Sequence, residues 1–121
     1  MSQHDPEADS LLPLTPTVFH ILLALSKGHR HGYWIMQEVQ RASEGQVGLG
    51  PGTLYGAIER MVDAGLIEEA SPPEGEKPSA RRRYYGMTTL GGRALLAESR
   101  RMEALVGQVK ARRLLNGGRS A

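Results

Sequence analysis

The sequence predicts a mainly α-helical chain with one small β-hairpin. Three observations carry that reading. Short segments with helical apolar spacing are separated by glycine-containing turns. Two strand-like runs flank a proline-rich loop. A long closing stretch then places apolar residues seven apart. At 121 residues the chain has room for one modest core and an appended element.

Residues 1–13 are polar, contain Pro6 and end at Pro13, and read as a flexible N-terminal arm. The first helix follows, with Thr15 as its cap and Pro16 at the first helical position. Val18, Phe19, Leu22, Leu23 and Leu25 make its broad apolar face, and Gly28 ends it. The segment Lys27-Gly28-His29-Arg30-His31-Gly32 is a turn. A second helix covers 33–42, with Ile35, Met36 and Val39 at helical spacing. A glycine-rich connection, 43–50, leads to a third helix that opens at Pro51. It carries Leu54, Ala57, Ile58, Met61 and Val62 on one face and stops at Gly65, which suits the left-handed cap position.

Residues 66–70 read as a strand and 82–87, with Tyr84 and Tyr85, as its hairpin partner. The loop between them holds three prolines and Gly75, too irregular for a tight turn. Thr88 caps a last helix over 89–115. Leu95, Met102 and Val109 fall seven apart with Leu105 and Val106 beside them, a coiled-coil-like stripe. Asn116-Gly117-Gly118 stops that helix and leaves 116–121 as a flexible tail.

Composition narrows the functional classes. At 40% hydrophobic and 23% charged, the chain is not of the disordered type. Aromatics at 5% argue against a large aromatic-lined cofactor cavity within one subunit, and no cofactor is expected. The absence of cysteine excludes disulfides, thiolate catalysis and Cys-ligated zinc, and fits a reducing compartment. Residues 1–12 carry Asp5, Glu7 and Asp9 without an apolar run, unlike a signal peptide. No stretch approaches the roughly 20 apolar residues of a membrane helix. A soluble, cytoplasmic protein without membrane contact is the expectation.

No catalytic or metal-binding residues emerge. His29 and His31 lie in a turn with no carboxylate beside them, and His20 sits within the first helix. Gly48-x-Gly50-x-Gly52 is not a phosphate loop, because no strand precedes it and no lysine follows at the required spacing. The reading is therefore a non-enzyme.

Three short helices followed by a hairpin is the order of a winged helix-turn-helix domain, here 14–88. In that design the third helix enters the major groove of duplex DNA and the wing reaches the neighbouring backbone. At 100° per residue, Leu54, Ile58 and Met61 point one way, and Gly52, Gly56, Glu59 and Asp63 the other. Each glycine inside a helix costs about 1 kcal/mol relative to alanine. Close approach to a groove would justify that cost. Thr53 and Tyr55 flank the glycines with hydroxyls suited to phosphate or base edges. The amides after Gly50-Pro51 favour a phosphate oxygen. Glu59 and Asp63 confine contact to the N-terminal half. Taken alone, the same helix reads equally as a packing helix.

The wing adds Arg81, Arg82 and Arg83, with Lys77 in the preceding loop. These are residue types for phosphate contacts, which give affinity and salt dependence rather than sequence reading. Glu74 and Glu76 in the loop temper this. In isolation such a triplet is a solvated charge run.

Three segments resemble the PadR family of transcription regulators, of the short type with a single C-terminal helix. His31-Gly32-Tyr33 with Ile35 is similar to the family's Gly-Tyr-x-Ile element. The run Gly52-Thr53-Leu54-Tyr55-Gly56-Ala57-Ile58-Glu59-Arg60-Met61, with Gly65-Leu66-Ile67, resembles its recognition helix. Arg82-Arg83-Tyr84-Tyr85-Gly86-Met87-Thr88, with Gly91, resembles its wing. The likeness covers 14–105, with Ile58 and Met61 standing where leucine is usual.

The resemblance implies a homodimeric DNA-binding regulator, usually a repressor, released by a small molecule or another signal. It assigns DNA contacts to Gly52, Thr53, Tyr55, Arg82 and Arg83, with Tyr33 a further candidate at the second helix. It gives dimerisation to the last helix. The stripe argues the same independently, because so small a domain cannot cover Leu95, Met102, Leu105, Val106 and Val109. The alternative is a helix folded back on its own domain. A two-fold dimer would present two recognition helices to a palindrome. Trp34, the sole tryptophan, is the candidate for an effector site, against a packing role. A winged-helix module that contacts protein instead of DNA is the alternative function.

Overall fold

The computed structural model describes residues 4–78 and 81–113. The elements run α1 (Pro6–Asp9), α2 (Pro16–Ala24), β1 (Arg30–His31), α3 (Gly32–Ala42), α4 (Pro51–Asp63), β2 (Ile67–Ala70), β3 (Tyr84–Met87) and α5 (Thr89–Ala111). The three predicted short helices, the hairpin and the long helix occur in the predicted order.

Local chemistry sets the helix boundaries. Thr15 Oγ1 accepts from Val18 N–H at 3.2 Å at the start of α2. The last turn of α2 closes at Ala24, capped by Leu25, earlier than the predicted stop at Gly28. The end of α4 is a Schellman motif. Gly65, at φ 78°, donates to Val62 O at 3.0 Å, and Leu66 N–H reaches Met61 O at 2.9 Å. At the start of α5, Thr88 Oγ1 accepts from Gly91 N–H at 3.0 Å and donates to Gly65 O at 2.5 Å. One side chain thus joins the end of one helix to the beginning of another. Gly91 has a contact reason for its missing Cβ, which would stand 2.1 Å from Leu66 O.

The core is one cluster. Ile21, Leu22 and Leu25 of α2 and its cap meet Ile35 and Val39 of α3, and Leu54, Ala57, Ile58 and Met61 of α4. Ile67, Tyr85 and Ala94 close the side toward the sheet and α5. Burial of this kind contributes about 25 cal/mol per Å² of apolar surface, and it fixes the angle at which α4 emerges.

Two expectations need correction. The sheet has three strands, in the order β1-β3-β2, not two. Arg30 pairs with Tyr85 and His31 with Tyr84 on one side of β3, and Glu68 pairs with Gly86 on the other. A two-residue strand has too little alternation to register as periodicity, and its pairing lies far off in sequence. The regular strands are also shorter than expected, starting at Ile67 and Tyr84.

The second correction concerns 1–13, read as a flexible arm. Within it α1 forms, with Asp5 as its cap and Ala8 fully buried. Arg93 of α5 grips Asp5 through two hydrogen bonds, at 2.8 and 2.6 Å, and meets Glu7 at 3.1 Å. Further on, Glu98, only 2% exposed, accepts from Leu14 N–H at 2.8 Å and from Arg101. Two acidic residues of this segment, Asp5 and Glu7, bind it to α5.

The long helix is regular to Ala111. The predicted end at 115 and the tail 116–121 lie outside the described residues. Its buried positions are Gly91, Ala94 and Glu98, all in its first half. Among the described residues no helix is long and apolar enough to cross a membrane.

Candidate nucleic-acid interface

The N-terminus of α4 carries no side-chain cap. Gly50 stands at the cap position without a hydrogen bond from its own side, and Pro51 has no N–H to satisfy. A Cβ added at Gly52 would meet nothing within 4 Å. The helix therefore opens onto free space with bare amides, and Thr53 beside them is exposed. That is a site for an anionic oxygen.

Tyr55 sits one turn in and is 49% exposed. Its ring leans on the first residue of α3: a Cβ at Gly32 would lie 2.6 Å from Tyr55 Oη. The glycine of the Gly-Tyr-x-Ile element thus makes room for the tyrosine of the recognition helix. Tyr33 follows at once, exposed, its hydroxyl accepting from Gln37 Nε2 at 3.0 Å. This contact brings the starts of α3 and α4 together. No spacing within either segment reports it.

The wing side is built on β3. Tyr85 is buried in the core, and its phenol is pushed up from its ordinary pKa chiefly by that burial. Tyr84 is buried as well. Its hydroxyl donates to the Glu76 carboxylate, which holds the phenol protonated and raises its pKa. Both tyrosines thus belong to the buried part of the sheet. Arg82 and Arg83 emerge exposed just before the strand. Arg83 Nη1 lies 3.3 Å from Glu69 Oε2, with both side chains mostly in solvent, so the pair is weak. Lys77 is exposed in the loop.

Tyr55, Arg81, Arg83 and Tyr85 line one cleft of about 430 Å³ between α4 and the sheet. Glu59 and Asp63 of the C-terminal half of α4 line it too, as does Glu69 of β2. The wing arginines therefore face the middle and C-terminal half of α4, and Tyr55 is the residue nearest the helix start that lines the cleft with them.

Two histidines missed as part of this region support it, His31 from β1 and His29 from just before it. His31 caps α3, its Nδ1 accepting from Trp34 N–H at 3.2 Å, and its ring meets Tyr84 edge to face at 5.6 Å. Burial, and then the Arg82 charge, lower its pKa, which keeps Nδ1 available as an acceptor. The His29 ring packs where a Cβ at Gly86 would sit, 2.5 Å from His29 Cδ2. The only signal in the sequence was His31 just before the helix start, which is the place of a cap.

The remaining expected positions lie elsewhere. Leu95 packs partly against the core, and Met102 and Val109 are half-buried, whereas Leu105 and Val106 are exposed. Trp34 is half-buried beneath Arg30, whose Cζ stands 4.6 Å from the ring centroid. It lies on the α2–α3 side, apart from the stripe of α5. Among the described residues no group of three His, Cys, Asp or Glu could hold a metal ion.

Comparison with known proteins agrees with this geometry. The family described as "Transcriptional regulator PadR-like family" matches residues 21–98. The chain is 33% identical over 91 residues to "Transcriptional regulator Rv3488" of Mycobacterium tuberculosis, covering 74% of this chain and 78% of that protein. It is 36% identical over 89 residues to "Uncharacterized 37.1 kDa protein in transposon TN4556" of Streptomyces fradiae, covering 74% of this chain but only 24% of that longer protein. Among solved structures, Bacillus subtilis PadR in complex with operator DNA superposes with a TM-score of 0.57 at 22% identity, over 70% of this chain and 46% of that one. The fold is the winged helix with an appended helix, and this family is one of regulators rather than enzymes. The chain belongs to the PadR-like family of transcriptional regulators.

Proposed function

We propose that this regulator binds duplex DNA as a homodimer and represses transcription from a palindromic operator in the cytoplasm until a small-molecule effector releases it. The observation that carries the reading is the cleft that Tyr55 of α4 lines together with Arg83 of the wing, one turn from an α4 start without a side-chain cap. On this reading Gly52 lets the backbone approach the groove, and Thr53 and Tyr55 offer hydroxyls. Tyr33, Lys77, Arg82 and Arg83 hold phosphates.

The dimer seam is assigned to Leu95, Met102, Leu105, Val106 and Val109. Its support is the exposure of Leu105 and Val106 on a half of α5 that has no fully buried residue. Trp34 is assigned to the effector site. The domain boundaries follow: 14–88 reads DNA and the last helix pairs.

Two measurements test this. Retention of random genomic fragments by the purified chain, repeated across a salt series, should show affinity falling steeply with added salt. No retention of any fragment in dilute buffer would transfer the surface to a protein partner. Met102→Asp combined with Val109→Asp should give monomers on a sizing column, since each carboxylate would be buried unpaired. A dimer that survives both changes would place the seam elsewhere.

A further inference from the structure

The cleft that Tyr55 and Arg83 line lies on one flank of α4. A second cleft, of about 420 Å³, lies on the other, between α4 and the start of α2. Thr15, Thr17 and Val18 line it from α2 and its cap, and Thr53, Ala57 and Arg60 from α4. At about 100° per residue, Thr53 and Arg60 fall within about 20° of each other, on the side of the helix away from Tyr55 and Val62. Gly52 and Gly56 stand on the face between the two flanks.

The flanks differ in charge. Glu59, Asp63 and Glu69 accompany the arginines on the wing side, whereas Arg60 is the one charged residue that lines the α2 side. Arg60 is exposed and forms no salt bridge among the described residues. Its side chain leans back toward the start of the helix, as long helical side chains do. A Cβ added at Gly56 would stand 3.4 Å from Arg60 Nη1, so the glycine leaves the guanidinium room to lie along the helix. The Thr15 hydroxyl accepts from Val18 N–H and keeps its own proton to donate. A guanidinium without a carboxylate partner, set beside threonine hydroxyls, suits a phosphate oxygen.

A helix seated in the major groove is bordered by a phosphate backbone on each side. The wing serves one of them. We infer that Arg60, with Thr15 and Thr17, grips a phosphate of the other, so that α4 is held from both flanks. This deepens the DNA reading above and rests on it.

The test uses the full chain and a genomic duplex that the wild type retains, with affinity measured across a salt series. Arg60→Gln should weaken binding by a factor of ~10, because a hydrogen bond between charged groups is lost. It should also flatten the slope of log affinity against log salt by about one unit. Thermal stability should not move, which separates a phosphate contact from a structural role. Arg60→Lys should restore the slope, since either cation serves a phosphate. Added to Arg82→Ala and Arg83→Ala, Arg60→Gln should flatten the slope by about one unit more. An unchanged slope in Arg60→Gln would overturn the assignment while wild-type DNA binding stands. An Arg60→Lys protein that behaves like Arg60→Gln would overturn it too, because that pattern marks an arginine that reads base edges. A wild type that retains no duplex at all would break the DNA reading, and this one with it.

Discussion

The arginines of α5 and those of the wing carry the same guanidinium and stand in opposite situations. Arg93 and Arg101 are each held by carboxylates at short range; the Arg93–Asp5 pair fastens the N-terminal segment to the last helix, and Glu98, paired with Arg101 within α5, adds the bond from Leu14 N–H. Arg83 touches Glu69 only at 3.3 Å with both side chains mostly in water, at 74% and 63% exposure. The difference separates charge that maintains the fold from charge that can be given to a partner. Exposed pairs contribute about 0–1 kcal/mol and dissolve readily when a phosphate competes. A buried acceptor such as Glu98 cannot be removed so lightly.

The comparison can be broken first at Glu98. Glu98→Ala leaves Leu14 N–H without its acceptor and Arg101 without its carboxylate, and should lower stability by about 2 kcal/mol. Chemical denaturation would measure it. The salt slope of DNA binding by the folded fraction should stay as it was. A stability loss below ~0.5 kcal/mol would mean the N-terminal segment is not fastened there.

On the wing the expectation is reversed. Arg82→Ala with Arg83→Ala should weaken binding to every DNA sequence and flatten the slope of log affinity against log salt by about one to two units. Thermal stability should barely move. Unchanged affinity would remove the wing from the mechanism.

Acid titration sharpens the contrast from the α5 side. The guanidinium of Arg93 draws the Asp5 carboxyl down from 3.8 to about 2. A carboxyl with a depressed folded pKa contributes stability that is present above pH 3.8 and lost as pH falls toward 2. The wild type should therefore lose more stability across that window than Arg93→Gln does. Parallel acid profiles for the two proteins would contradict the role given to the pair.

The smallest effect is expected from Glu69→Gln. It frees Arg83 from its competitor and should raise DNA affinity by a factor of ~2–5, with a stability change within ~1 kcal/mol. Weaker DNA binding in this variant would show that Glu69 positions Arg83 rather than competing with phosphate for it.

How much of the molecule was legible depends on the range over which each feature is encoded. The caps Thr15 and Thr88, the stop at Gly65 and the apolar faces of α2, α3 and α4 are written within a few residues of where they act. Their periodicity names them. The candidate interface was legible as two local patterns, the glycine-spaced start of α4 and the arginines before β3. The pairing of His31 with Tyr84 was not, nor was the seat of Tyr55 over Gly32, because each joins residues more than 20 positions apart.

By itself, then, the amino-acid order determined the helices, the hairpin, the arginine-bearing loop and the apolar stripe, since propensity, capping and period are properties of short windows. The tertiary structure alone decided the third strand, the docking of α1 through Asp5 and Arg93, and the buried place of Glu98. It also brought Arg60 of α4 and Thr15 and Thr17 at the start of α2 around one cleft. The physical reason is that a charged side chain has no fixed meaning in sequence. Whether it is solvated, paired or left available depends on which distant group the packed core brings within 3 Å of it.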